Sequence, residues 1–219
     1  MTGSDMGVFF RSRRYCIAAL LLGAVLGLSH AQTTAQRTVL VLGDSLSAEY
    51  GLARGTGWVT LLEQRLAKEK PGTRVVNASI SGETTFGGRS RLAALLAQHK
   101  PTHVILELGG NDALRGLSLD ATRANLEWMT QQSKKAGARV LLLGMQMPPN
   151  YGADYAKRFE GLYAQVARAE KVGLVPFFLK GVADGADPTR LFQPDRIHPT
   201  TEAQPLMLDN VWPELKKIL

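Results

Sequence analysis

Short apolar or β-branched runs recur along the chain at Val39–Leu42, Arg74–Ala78, His103–Leu108, Arg139–Gly144 and Leu174–Phe178. Each has the length of a buried strand rather than of a helix. Between these runs apolar residues return every three or four positions, as in Trp58, Leu61, Leu62 and Leu66, or Phe159, Leu162, Tyr163 and Val166. The same period holds for Leu92, Leu95 and Leu96 and for Leu119, Leu126 and Met129, and it predicts amphipathic helices, with a final one after Pro199. Near-continuous apolar strands alternating with helices predict an α/β fold: a flavodoxin-like, doubly wound, five-stranded parallel sheet with helices on both faces and right-handed crossovers. The longest irregular tracts, Met145–Tyr155 and Lys180–Pro199, follow strand ends. In such sheets that is the ligand edge.

The beginning of the chain has a different pattern. Arg11, Arg13 and Arg14 precede an unbroken apolar run, Cys16–Leu28, and Ser29-His30-Ala31 follows it. A charged, then apolar, then small-residue order is that of a secretory signal peptide, and the run is shorter than the roughly 18 residues of a spanning helix. Cleavage after Ala31 is expected, leaving residues 32–219 as a single periplasmic or secreted domain. Cys16 is the sole cysteine, so the processed chain has no disulfide and no thiolate nucleophile.

A chain of 219 residues, 45% hydrophobic and 21% charged, is long enough for one well-buried core. Its formal charge of +7 includes three Arg and one Asp from the leader, and the remaining Lys and Arg are interspersed with Asp and Glu. That pattern reads as a solvated surface; it contains no nucleic-acid module and allows transient contact with membrane lipid. His99 and His103 flank the turn at Pro101, and no further histidine stands near them in the sequence. No metal and no cofactor is expected.

Candidate chemistry lies where the apolar runs break. The first ends in Gly43-Asp44-Ser45, a site suited equally to a helix cap and to a hydroxyl presented at the sheet edge. Near the C-terminus Asp195 and His198 stand three residues apart, a spacing that in a turn brings a carboxylate against one imidazole nitrogen and leaves the other to face a hydroxyl. After the second run, Gly82 offers an unobstructed backbone N–H; after the third, Asn111 offers a side-chain amide to a developing oxyanion. Each is also an ordinary turn or cap residue. Four strand ends supplying a hydroxyl, an N–H, an amide and an Asp/His pair point together to nucleophilic acyl transfer.

The stretches "GDSLSAEYG", "NASISGET", "ELGGNDALRG", "MPPNYGADY", "PFFL" and "DRIHPTTEAQP" occur in this order across nearly the whole processed chain. In them the sequence resembles the SGNH (GDSL) hydrolase superfamily, and within it the bacterial periplasmic acyl-CoA thioesterase, lysophospholipase and arylesterase group. The resemblance implies a serine hydrolase with Ser45 as nucleophile, His198 as general base and acid, and Asp195 as its orienting partner; a monomer is expected. It also implies an oxyanion hole of the Ser45 N–H, the Gly82 N–H and the Asn111 amide. Small-molecule acyl esters and thioesters are the implied substrates: aryl esters, lysophospholipids and acyl-CoA. Met145–Tyr155 resembles the family's substrate loop, which makes Met147, Pro148 and Tyr151 candidate acyl contacts.

Ser47 stands where the G-x-S-x-G elbow of α/β-hydrolases has its second glycine. Glu49, close behind the nucleophile, is either solvated or trims the acyl or leaving-group site. Two further readings use the same residues: a carbohydrate or peptidoglycan O-deacetylase, and a noncatalytic binder with an anion-holding turn at Gly43–Ser47, which lacks the glycines and lysine of a P-loop.

Overall fold

The first apolar run forms β1 (Arg37–Gly43), with every residue after Arg37 buried. The computed structural model of the protein describes residues 37–147 and 151–219; the expected leader at 1–31 and Pro148 lie outside them. The chain continues through α1 (Trp58–Glu69), β2 (Thr73–Asn77), α2 (Thr85–His99), β3 (His103–Glu107), α3 (Gly110–Leu114), α4 (Leu119–Lys135), β4 (Arg139–Leu143), α5 (Ala153–Glu170), β5 (Gly173–Val175) and α6 (Gln204–Ile218). All strand pairs are parallel, in the order β2-β1-β3-β4-β5. This is the expected flavodoxin-like order. Right-handed crossovers put α1 and α6 side by side on one face and α2, α4 and α5 on the other.

Burial on both faces explains the sequence pattern. Val39, Leu40, Val41, Leu42, Val104 and Ile105 have no solvent exposure, so their strands have no polar side to alternate with. The helices are amphipathic because only one face meets the sheet, as in α5, where Phe159, Leu162, Tyr163 and Val166 are buried. Local chemistry fixes their ends. The Thr84 and Ser118 hydroxyls accept the Gly87 and Ala121 N–H groups at the starts of α2 and α4. Lys100 and Lys171 close α2 and α5 in the left-handed conformation.

Three elements differ from the sequence-based expectation. The fifth strand ends at Val175, not Phe178, because Pro176 has no N–H to continue the ladder. The last helix starts at Gln204 after a 3-10 turn at Thr201–Ala203. Pro199 instead pairs with Phe192 in an isolated bridge. The short helix α3 fills what read only as a turn, since five residues are too few to show a period.

His103 is a structural histidine: its Nδ1 lies 2.8 Å from Thr102 Oγ1 and its Nε2 2.7 Å from the Ile218 carbonyl. Desolvation outweighs that carbonyl contact and pulls its pKa below the ordinary value. It pins the end of α6 beneath β3.

Beyond β4 the backbone closes on itself. The Gly144 N–H donates to the Val175 carbonyl at 2.8 Å, and the Phe178 N–H donates to the Gly144 carbonyl at 2.8 Å. A Cβ at Gly144 would stand 2.3 Å from the Pro176 carbonyl oxygen, with no flexible side chain to yield. Gly144→Ala is therefore expected to cost about 1–3 kcal/mol in denaturant unfolding. Gly161→Ala, inside α5 with nothing nearer than 3.8 Å, should instead stabilise by about 0.5–1 kcal/mol.

Candidate active site

Ser45 sits on a tight turn immediately beyond β1. The Asp44 carbonyl accepts the N–H groups of Ser47 and Ala48 at 3.2 and 3.0 Å, and its side-chain Oδ1 accepts the Leu46 N–H at 3.0 Å. Beneath the turn lies Glu107, paired in register with Gly43. Its Oε2 accepts the Asp44 N–H at 3.2 Å and the Ser47 hydroxyl at 2.7 Å. Ser47 Oγ in turn accepts Trp58 Nε1–H at 3.1 Å, and its carbonyl accepts Asn77 Nδ2–H at 2.7 Å. A Cβ at Gly43 would lie 2.7 Å from Glu107 Oε2 and 2.9 Å from Ser47 Oγ, so the glycine before Asp44 makes room for this network. Ser47, where an elbow glycine would be, is one of its members.

Glu49 neither hangs in solvent nor reaches toward substrate. Its carboxylate accepts the Gly55 and Gly57 N–H groups at 2.9 and 2.8 Å and the Thr60 hydroxyl at 3.0 Å. It closes the loop before α1 and ties that loop to Thr60 in the helix's first turn. Although desolvation opposes it, the Gly55 and Gly57 N–H groups hold its pKa below the usual glutamate value.

The second half of the site comes from the segment before α6. The Thr200 N–H donates to the Leu191 carbonyl and the Gln193 N–H to the His198 carbonyl, each at 2.8 Å. Gln193 Nε2 also donates to the Tyr50 and Pro199 carbonyls at 2.9 and 3.1 Å, tying this segment to the serine turn. The Tyr50 ring lies against the His198 ring, with centroids 4.2 Å apart. Within this brace His198 Nε2 is 2.9 Å from Ser45 Oγ, and His198 Nδ1 is 2.6 Å from Asp195 Oδ2.

Asp195 Oδ1 accepts the Ile197 and His198 N–H groups at 2.9 and 3.0 Å. Desolvation would raise the pKa of this carboxyl, but the His198 N–H, the imidazole and the Ile197 N–H bring it down to about 2. An ionised Asp195 puts the imidazole proton on Nδ1. Nε2 then has a lone pair for the serine hydroxyl.

Asn111 projects from α3, and its Nδ2 donates to Asp44 Oδ2 at 3.0 Å. The preceding Gly109 has φ +119°, and a Cβ there would sit 2.4 Å from the Tyr163 hydroxyl, which donates to the Leu108 carbonyl at 3.0 Å. Gly82, also at positive φ, is held through its carbonyl by Arg115 Nη2 at 2.8 Å. Among the described residues, the N–H groups of Ser45 and Gly82 donate to no protein acceptor.

Ser45, His198 and Asp195 are thus in direct contact, and Asn111 is tied to the serine turn through Asp44. Gly82 sits on the neighbouring strand end, where Ile80 donates to the Gly43 carbonyl. Met147 and Tyr151 part company. Met147 lines a groove of about 430 Å³ with Phe177, Phe192 and Arg196, whereas Tyr151 lines one of about 440 Å³ with Leu114, Arg115 and Tyr155.

Glu107, Tyr50 and Gln193 were not apparent as site residues from the sequence. Only Glu107 left a signal there: a lone acid closing the otherwise apolar run "HVILE".

A parallel sheet whose serine turn meets a His/Asp segment in this way defines a class, and the sequence profile of the GDSL-like Lipase/Acylhydrolase family matches residues 41–205. The chain belongs to that family and is a serine-type ester hydrolase of it. It is 51% identical to Esterase TesA of Pseudomonas aeruginosa over 202 residues, 92% of this chain and 99% of the relative. It is 40% identical to Thioesterase 1/protease 1/lysophospholipase L1 of Escherichia coli K12 over 188 residues, 86% of this chain and 88% of the relative. A crystal structure of TesA matches with a TM-score of 0.80 at 53% identity, covering 84% of this chain and all of that one, 100%.

Beneath the serine turn, burial raises the Asp44 pKa from 3.8 to about 6, against the lowering effect of the Leu46 N–H and the Asn111 amide. Burial and then the Asp44 charge raise Glu107 well above its usual value. A raised carboxyl pKa means that the folded state binds protons more tightly than the unfolded chain. The Asp44 contribution to stability is therefore present below 3.8 and is lost as pH rises toward about 6. Denaturant midpoints measured across that interval should fall less steeply with rising pH in Asp44→Asn than in the unaltered protein.

Proposed function

We propose that the chain hydrolyses acyl esters and thioesters through an acyl-enzyme on Ser45. The observation that carries this reading is the unbroken contact series from Asp195 through His198 to Ser45, at 2.6 and 2.9 Å. A serine hydroxyl is a weak nucleophile until a base accepts its proton. His198 Nε2 takes that proton as Oγ bonds to the substrate carbonyl carbon, and the imidazolium is stabilised by Asp195. The carbonyl electrons move onto oxygen, giving a tetrahedral oxyanion. Its partners are the Ser45 N–H, the Gly82 N–H and the second amide hydrogen of Asn111, whose first is committed to Asp44.

Collapse of the intermediate breaks the bond to the alcohol or thiol, which leaves with the proton from His198. Water then attacks the acyl-serine, His198 accepts its proton and returns one to Ser45 Oγ, and the free acid departs. Asp44 holds Asn111 in place, which makes it a positioning residue in this scheme. Thioesters, lysophospholipids and aryl esters are the substrate classes proposed. The grooves on the Met147 side and on the Tyr151 side, neither of which has Ser45 or His198 among its described lining residues, are the proposed seats for the acyl chain and the leaving group. The charged, apolar and small-residue order of the first 31 residues supports export to the periplasm and removal of that segment.

The test is hydrolysis of p-nitrophenyl esters from acetate to palmitate, with palmitoyl-CoA and a lysophospholipid alongside. Ser45→Ala should abolish turnover and fluorophosphonate labelling while leaving the unfolding transition in place. Asn111→Ala should lower kcat roughly 100–1,000-fold with little change in labelling position. Activity that survives in Ser45→Ala would remove the serine from the mechanism. Changing Met147 or Tyr151 should shift chain-length preference more than it shifts acetate turnover; equal loss on short and long acyl chains would count against their grooves as substrate seats.

A further inference from the structure

Large apolar side chains that face solvent are not scattered over this protein. Eight are exposed among the described residues, Phe86 most of all at 73%. Tyr50 follows β1, Ile80 and Phe86 follow β2, Leu114 and Leu117 follow β3, and Ile197 stands beside His198. The other two, Tyr151 and Leu206, lie ahead of α5 and in the first turn of α6. In a parallel sheet, loops after strands and starts of helices gather at the carboxyl-terminal edge. All eight therefore ring the edge on which Ser45 and His198 meet.

Charge is segregated along the same axis. Eight of the ten lysines lie at the opposite edge, where helices end and strands begin; Lys70, Lys100, Lys135, Lys171 and Lys217 are examples. The site edge instead carries the exposed arginines Arg54, Arg115, Arg190 and Arg196, none of which forms an ion pair among the described residues. Acids share this edge: Asp154 and Glu202 are exposed and in no ion pair among the described residues, whereas the others bond locally. Asp184 and Asp187 accept the Gly181 and Thr189 N–H groups, Glu83 pairs with Arg91, and Asp195 holds His198. Glu49 is bound to α1. What faces outward from that edge is an apolar ring interleaved with those four guanidinium groups and with the carboxylates of Asp154 and Glu202.

We propose that this edge is a peripheral docking surface for a phospholipid bilayer or micelle. The apolar ring would enter the acyl–headgroup boundary, and the four arginines would meet headgroup phosphates. Apolar side chains alternating with cations on one face match an amphiphile surface, where acyl carbon and phosphate lie a few ångströms apart. Arginine suits this role because its planar fork binds phosphate oxygens in pairs. Docked in this way, the serine turn opens directly onto the lipid layer. The proposal rests on the reading of the chain as an acyl-ester hydrolase only for its purpose; the docking itself does not require turnover.

The experiment is hydrogen exchange of the full chain with and without phosphatidylglycerol vesicles, together with vesicle co-sedimentation. Slowed exchange in the loops after β1, β2 and β3 and around Ile197, with the lysine edge unchanged, is the expected result. Phe86→Ser combined with Leu117→Ser, both exposed and outside the catalytic contacts, should lose that protection and bind about tenfold more weakly. Turnover of soluble p-nitrophenyl acetate should be unchanged in this variant. Protection confined to the first 36 residues or to the lysine edge, or equal binding by the variant, would overturn the proposal. So would light scattering that shows a dimer dissolved by the same two substitutions, because the ring would then be a protein interface. Docking by a chain that cleaves none of the acyl substrates would uphold this surface and remove the esterase reading instead.

Discussion

The serine turn depends on one buried carboxyl group. Glu107 closes β3 directly opposite the end of β1, and through a single oxygen it holds the Asp44 backbone and the Ser47 hydroxyl. A turn of this tightness has backbone groups that no ladder satisfies, and at the sheet edge water would compete for them. Placing the acceptor on the neighbouring strand makes the turn's geometry a consequence of strand register. Ser47 extends the effect to α1 through Trp58 and to β2 through Asn77. Three elements thus converge on the backbone that carries Ser45.

This arrangement has an electrostatic cost. Asp44 and Glu107 are both buried, and each resists ionisation, mainly through desolvation. Asp44 in its charged form accepts the Asn111 amide, so the same group that strains the interior orients the amide toward the edge. Asp195 has the opposite environment: it is partly exposed and surrounded by donors, and it stays ionised down to about 2. One carboxyl supports the turn from below and the other polarises the imidazole from above. Their separation in pKa follows from their separation in burial.

The histidine segment reaches the serine from far along the chain and is braced, not merely adjacent. Gln193 bonds to the backbone on both sides of the contact, and Tyr50 lies against the imidazole. Both partners lie in loops, where fixed geometry otherwise costs conformational entropy. The brace restricts the ring at the stage of folding, before any substrate arrives.

Much of this was legible in the sequence. The five parallel strands follow from apolar runs alternating with helical periods, because burial on both faces leaves no polar side to Val39–Leu42 or Val104–Leu106. The order β2-β1-β3-β4-β5 was a choice among doubly wound orders that only the tertiary structure decides. Ser45, Asp195, His198, Gly82 and Asn111 stood out because each breaks a strand or turn with a residue of the right chemistry. What the sequence left open was decided by contacts between distant segments. Glu49 turned out to close the loop ahead of α1, because only the folded loop brings Gly55, Gly57 and Thr60 around its carboxylate. Met147 and Tyr151, near neighbours in one loop, line different grooves. Glu107 and Gln193 carry no local pattern that marks their roles. Periodicity records which side of an element faces the core, whereas a hydrogen bond between residues a hundred positions apart exists only once the tertiary fold has set their distance.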